Sequence, residues 1–397
     1  IYALLAHGAK SFLKESSLKG NVNHEWWRAY RTGQIPPLPR DRQVFTRFTE
    51  LLKGAGIQVT QKGSQHMLSP LLDRHVEKIS NGLIQKPRQV WAKSLAPEKY
   101  GLFDPHITGG LQGQKWGHID LAEPVPHPTF EDPIRILTGL TQKQLDDLVE
   151  RKIVLDQDSL EPKPSGAGLT GGAAIREKLK RINMPERIKT LQGTLNKLKG
   201  PALDKANREL RYLQALELTG IRPEEYVVSK IPVLPPTMRP VYPDENGDLR
   251  HSDLNFLYRD LMLINEGLKG LEGVPEAEKT RQRQDLMDAF RALTGVSSKP
   301  ALIAGEDRKG ILHNISGIPQ PKMGYWQSKL LSRRQDMAGR STIIGAPELE
   351  LDEVGLPEEM AWTLFKERGI REMIQRGRTP LQAEDLWEAK DPFAKQI

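Results

Sequence analysis

Five basic side chains crowd one stretch of the sequence. Lys322, Lys329, Arg333, Arg334 and Arg340 fall within residues 321–340, opposed there only by Asp336, with Tyr325 and Trp326 interleaved. Cationic side chains neutralise phosphates and flat rings stack on bases or sugars, so this composition suits a segment facing nucleic acid. A solvated basic helix beside two core aromatics fits the same residues, and composition alone does not separate the two. The acidic run Glu348-Leu-Glu350-Leu-Asp352-Glu353 alternates with apolar residues, which fits a strand with one solvated face better than a metal site. Other chemistry is missing from the sequence. It contains no His-Glu-x-x-His, no Gly-x-x-x-x-Gly-Lys-Ser/Thr and no Gly-x-Ser-x-Gly. His66, His75, His106, His118 and His127 stand at no ligand spacing, and each reads as a surface or hydrogen-bonded structural residue. With no Cys there is neither a disulfide scaffold nor a thiolate zinc site. The net charge of +7 is compatible with a polyanionic partner without requiring one. No apolar run approaches the roughly 18–20 residues that span a bilayer, and no signal peptide opens the sequence, so an intracellular protein without a membrane partner is expected.

The elements that must position these residues are mostly helical, and the expected fold class is α+β, predominantly α. Apolar residues at Ile1, Leu4, Leu5, Ala9 and Phe12 suggest a helix, and a start at Ile1 inside that pattern is expected of a segment of a longer chain. A second helix is predicted over 42–54 from Phe45, Phe48, Leu51 and Leu52. Between them lie Trp26-Trp27 and a Pro-rich turn at 35–39. Residues 61–78 are polar and read as a linker; 79–137 read as loops and short strands. Thr141 with Gln144 forms a capping box for a helix to about Lys152. The Gly-, Ser- and Pro-rich stretch 162–172 reads as a flexible loop. Ile188, Leu191, Leu195 and Leu198, then Leu203, Ala206, Leu210 and Leu213, predict an antiparallel hairpin turning at Gly200-Pro201. A second hairpin has Leu254, Leu257, Leu261, Ile264, Leu268 and Leu271 at heptad spacing behind an N-cap at Ser252. Its tip is Gly270, Gly273 and Pro275, and Leu286, Phe290 and Leu293 return. Packing on a domain core and a protruding coiled coil remain open for it. After Ser341 the texture predicts strand, turn, strand and a helix opened by Pro357.

Several strings resemble the beta-prime subunit of bacterial multi-subunit RNA polymerase. They are Val233-Leu-Pro-Pro-Thr-Met-Arg-Pro240, Asp253-Leu-Asn-Phe-Leu-Tyr-Arg259, Met337-Ala-Gly-Arg-Ser-Thr-Ile-Ile-Gly-Ala-Pro-Glu348 and Gly355-Leu-Pro-Glu-Glu-Met-Ala-Trp-Thr-Leu-Phe-Lys366. Upstream, Gly101-Leu-Phe-Asp-Pro105 and Gly117-His-Ile-Asp-Leu-Ala122 match further landmarks in the same order. Residues 1–60 are similar instead to the carboxyl end of beta, through Ile1-Tyr-Ala-Leu-Leu-Ala-His-Gly-Ala-Lys10, Ile35-Pro-Pro37 and Leu51-Leu-Lys-Gly-Ala-Gly-Ile-Gln-Val59.

The resemblance implies a beta-to-beta-prime fusion through a linker at 61–78. It implies a clamp body at 79–234, a lid at 235–252, a clamp coiled coil at 253–296, a rudder at 297–320, a switch region at 321–340 and the start of a double-psi beta-barrel at 341–397. Template DNA and the RNA–DNA hybrid would be held by Lys322, Lys329, Arg333, Arg334, Arg340, Arg239 and Arg250. This tilts the reading of the basic cluster toward nucleic acid. Leu263, Asn265, Glu266 and Asp285 would face a protein partner. The remaining polymerase segments or subunits are implied as partners. The first helix of the second hairpin lacks the Arg- and Asn-rich face that docks the family's initiation factor, which implies a non-standard one. Only Ile107–Trp116 fills the place of the family's zinc ribbon, so no zinc is expected. No Asp-x-Asp-x-Asp loop occurs in the sequence, so catalytic Mg²⁺ is expected to be held by residues outside it. A zinc-free clamp points toward a phage-encoded polymerase acting in the host cytoplasm, or else a cytoplasmic, nucleoid-associated enzyme. The rival expectation is a non-catalytic, polymerase-derived protein that binds nucleic acid or serves structurally.

Overall fold

The computed structural model describes residues 24–36, 42–62, 65–86, 98–164, 166–243, 245, 249–271, 273–296, 308–318, 320–331, 339–350 and 352–397. The chain divides into a larger unit, Arg47–Tyr325, and a smaller one made of Ile1–Thr46 with Trp326–Ile397. The helix expected over the first dozen residues lies outside the described residues. Helix α1 (His24–Arg31) contains Trp26-Trp27, and α2 (Arg42–Gly54) has the predicted bounds.

In the larger unit, Leu51 and Ala55 are buried and lead into a two-stranded antiparallel ribbon, β1 (Ile57–Lys62) with β2 (Gln65–Pro70). Helix α3 (Asp73–Ile79) comes after it, with Leu71, Leu72 and Val76 buried. The described residues of 61–78 therefore belong to a ribbon and a helix rather than to the expected linker. Their polar residues occupy a ribbon that needs only backbone partners, and three apolar side chains anchor the adjoining helix.

Strand β3 (Ser80–Leu83) runs parallel to the eleven-residue β4 (Trp116–Pro126). Helices α4 (Glu131–Thr138) and α5 (Gln142–Val149) come next. The capping box is present: Gln144 N–H donates to Thr141 Oγ1 at 3.2 Å and Thr141 N–H donates to Gln144 Oε1 at 2.9 Å. Residues 162–172 are not simply a loop, because β5 (Val154–Leu155) pairs with β6 (Pro162–Lys163) and Leu155 bridges Leu169. After α6 (Gly171–Lys180), helices α7 (Met184–Thr194) and α8 (Pro201–Thr219) form the first predicted hairpin. Gly200 turns the chain at φ +59, with Pro201 opening the second helix. Strand β7 (Val227–Val233) then completes a sheet of order β3-β4-β7, antiparallel to β4. The core of this unit lies where α3, α6 and the first helix of the second hairpin meet that sheet.

A small ribbon, β8 (Val241–Pro243) with β9 (Leu249–His251), precedes the second hairpin, α9 (Asp253–Lys269) and α10 (Thr280–Thr294). The first helix of this hairpin packs against β4 and against its own returning helix, and polar as well as apolar positions of α9 are buried: Asn255, Arg259, Asp260 and Asn265 alongside Leu254, Leu257, Leu261 and Leu268. Near its tip Lys269 Nζ donates to Asp120 O at 3.0 Å, and Arg283 bridges Glu123 of β4 (3.0 Å) and Glu276 (2.5 Å). Helix α11 (Ile311–Ser316) closes the larger unit's helices. Most of the expected rudder, residues 297–307, lies outside the described residues.

In the smaller unit, α12 (Glu358–Gln375), α13 (Pro380–Glu388) and the short α14 (Pro392–Lys395) enclose Ile370, Met373, Ala383, Trp387 and Ala394. Gly369 permits this packing, since a Cβ there would lie 1.9 Å from the Trp387 ring. The expected strand-turn-strand after Ser341 does not form among the described residues, and Pro357 caps α12 from outside. A strand exists only with a ladder partner, and none among the described residues pairs with 339–350 or 352–357; Ile343 and Ile344 are 97% and 80% exposed. No double-psi barrel is present among the described residues, which are mostly helical with small sheets.

Candidate nucleic-acid interface

The basic residues do not fall in one unit. Lys322 belongs to the larger, and Lys329 and Arg340 to the smaller, each exposed where it stands. Arg333 and Arg334 lie outside the described residues. Lys322 sits on a 3₁₀ turn, Pro321–Met323, held against the end of α11 by a close backbone crossing. A Cβ on Gly317 would stand 2.4 Å from Gly324 N, and Gly317 itself has φ +77. Only glycines allow that crossing, which leaves Lys322 and the 71%-exposed Met323 on the outside. In the smaller unit, Trp326–Leu331 is a π-helical turn that buries Leu330 and exposes Lys329. Such turns are rare and concentrate at functional segments.

The ribbon β8–β9 places Tyr242 directly opposite Arg250, both exposed. An aromatic ring beside a guanidinium is suited to a nucleotide, with the ring stacking and the cation meeting phosphate. Below this ribbon, three cationic or titratable groups surround one ring. Arg308 lies 3.9 Å and Arg259 5.1 Å from the Phe256 centroid, and His251 meets its edge at 5.7 Å. Burial, then the nearby Arg259, lowers the His251 pKa below its ordinary value. Lys309 N–H donates to Asp253 Oδ2 at 3.1 Å, which ties the segment carrying Arg308 to the start of α9.

Arg239 is corrected from the expected interface. It is fully buried, donating to Leu234 O at 2.7 Å, to Asn255 Oδ1 at 2.8 Å and to Leu102 O at 2.5 Å, with its guanidinium over the Phe103 ring. Burial pushes its pKa down to about 10. It joins the base of the ribbon to the Gly101–Asp104 turn and to α9. Asn265 is likewise consumed, accepting from Ala122 N–H at 2.7 Å and donating to Asp120 O at 2.9 Å. Glu266 is exposed, Leu263 is half-buried, and Asp285 is half-buried with its pKa raised by burial. Arg250 is among the sequence-based expectations, but its cross-strand neighbour Tyr242 and the cluster around Phe256 are absent from them. The alternation Val-Tyr-Pro…Leu-Arg-His was the only available signal, and three residues a side is too short to separate from a loop.

Among the described residues no group of three or more His, Asp or Glu could hold a metal ion. No helix among them is long and apolar enough to cross a membrane.

A protein-family profile described as "RNA polymerase Rpb1, domain 2" matches residues 332–396, which defines a class: a nucleic-acid polymerase large-subunit segment. Curated relatives narrow it. The chain is 28% identical over 80% of its length to the DNA-directed RNA polymerase subunit beta' of Lactobacillus delbrueckii subsp. bulgaricus, covering 31% of that protein. It is 26% identical to the Bordetella avium subunit over 80% of this chain and 27% of that protein. The Acholeplasma laidlawii subunit is 30% identical over 71% of this chain and 22% of its own length. By these matches the chain is a segment of the multi-subunit DNA-directed RNA polymerase type, and it spans about a third or less of the relatives' length.

Proposed function

We propose that this chain forms part of a DNA-dependent RNA polymerase and holds template DNA and the RNA–DNA hybrid. The single observation that carries this is the beta-prime similarity over 80% of the chain; the exposed Tyr242–Arg250 pair supports it. In this reading 1–60 is the end of beta and 79–234 the clamp body. The ribbon within 235–252 is the lid, 253–296 an initiation-factor platform, 297–320 the rudder and 321–340 the switch region. Residues 341–397 enter the barrel once partner strands are supplied. The complete enzyme would join nucleotides by attack of the RNA 3′ hydroxyl on the α-phosphate of a nucleoside triphosphate, releasing pyrophosphate, with Mg²⁺ on carboxylates outside this sequence. Its setting would be the cytoplasm of a bacterium or of a phage-infected host, and its initiation factor a non-standard one meeting Leu263, Glu266 and Asp285.

The test is binding to a DNA–RNA scaffold across a salt series. Changing Arg333→Glu, Arg334→Glu and Arg340→Glu together lowers the slope of log K against log [salt] by about two to three. An unchanged slope and affinity would refute the switch-region assignment.

A further inference from the structure

Tyr242 and Arg250 face each other on a ribbon of three residues a side. A two-stranded ribbon so short does not hold its own orientation in water, so the packing beneath it must set where the pair points. The link is the residue after Arg250. His251 is half-buried, and its ring meets the edge of Phe256, on the first turn of α9, at 5.7 Å with 63° between planes. Phe256 is held in turn by two guanidiniums, Arg308 at 3.9 Å from the ring centroid and Arg259 at 5.1 Å. At 3.9 Å a guanidinium is in contact with the ring face, where the quadrupole attracts a cation most strongly.

The two cations differ in what they belong to. Arg259 is 1% exposed and neutralised by its neighbour Asp260, to whose Oδ1 its Nε donates at 2.7 Å and its Nη2 at 2.5 Å, so it is part of the core. Arg308 is half-buried and comes from a separate stretch of chain, which Lys309 N–H tethers to Asp253 Oδ2 at the start of α9.

We propose that Arg308 and Phe256 are positioning residues for the Tyr242–Arg250 pair. The guanidinium fixes the ring, the ring fixes His251, and His251 fixes the strand that carries Arg250. The segment that begins at Arg308 thereby governs how firmly the ribbon engages a nucleotide without touching one. This role rests on reading the pair as a nucleic-acid contact, and it adds to that reading a cation that acts through another residue rather than on a phosphate.

The experiment uses the full chain and two measurements. The sequence contains no Cys, so Tyr242→Cys carries a nitroxide at one site, and its electron paramagnetic resonance line shape reports ribbon mobility with no nucleic acid present. Arg308→Gln and Phe256→Leu each make the label more mobile, whereas Arg308→Lys, which keeps a cation over the ring, stays close to the parent. The second measurement is binding of the unlabelled chain to a DNA–RNA scaffold. Arg308→Gln weakens it about three- to tenfold, Arg308→Lys recovers most of the loss, and Arg308→Gln adds nothing once Arg250→Gln is present. An unchanged line shape in Arg308→Gln overturns the proposal. So do additive losses with Arg250→Gln, which would make Arg308 a phosphate contact in its own right. A parent that does not bind, or binding unaffected by Arg250→Gln, overturns the nucleic-acid reading instead, while the line shapes still decide whether Arg308 positions the ribbon.

Discussion

Single residues already separate buried cations from exposed ones. Arg239 has no carboxylate partner in its hydrogen-bond set; two backbone carbonyls and one amide satisfy it. Arg239→Met orphans those buried acceptors and should lower unfolding stability by about 3 kcal/mol or more in a denaturant titration. Arg250→Gln, on an exposed strand, should shift stability by under about 0.5 kcal/mol yet weaken scaffold binding and reduce its salt slope by about one. The reverse pattern would exchange their assignments. His127 supplies a pH test. Its ring is buried against Phe130 and Phe290, accepts from Thr129 N–H at 3.2 Å, and burial pushes its pKa down to about 3. The unfolded chain takes up this proton below about pH 6.5 while the folded chain does not. Stability is therefore full above that pH and falls as pH drops toward 3, by up to about 1.4 kcal/mol per unit. Thermal melts between pH 7 and 5 should show the slope, and His127→Asn should reduce it, with the other partly buried histidines, His251 among them, supplying the remainder.

At the scale of elements, the second hairpin decides between a docking arm and a wall of the core. Its heptad seam was legible in the sequence, since Leu254 to Leu268 have the spacing of any buried helix face. What the seam packs against was not. Asn265 on α9 holds β4 by two backbone hydrogen bonds, whereas Glu266 beside it is exposed. Asn265→Ala should cost about 1–3 kcal/mol of stability, and Glu266→Ala should leave it within about 0.5 kcal/mol. If partner binding through this helix exists, only the second change should impair it at unchanged stability. The ribbon at 57–70 carries the opposite lesson. Polar alternation concealed it, because its pairing is backbone to backbone and draws little on side-chain type.

For the whole molecule, the net charge of +7 makes association with polyanions salt-dependent, and the slope rather than the affinity identifies which cations take part. The helices with clear spacing or caps were legible without a structure: α2, α5, α7 with α8, and α9 with α10. Local hydrogen bonds and apolar periodicity specify those within a dozen or so residues. The order of the motifs likewise carried the kinship with RNA polymerase. Which cations are buried was settled only by folding. Arg239 and Arg250 are chemically alike in sequence, yet one is enclosed by carbonyls from segments 137 and five residues away while the other is exposed. Folding also withheld strands from the described residues of 341–356, since a strand depends on a partner that periodicity cannot supply. The basic cluster at 321–340 is one run in sequence, and its described members belong to two units. Burial and pairing are properties of distant segments brought together, and no local pattern encodes them.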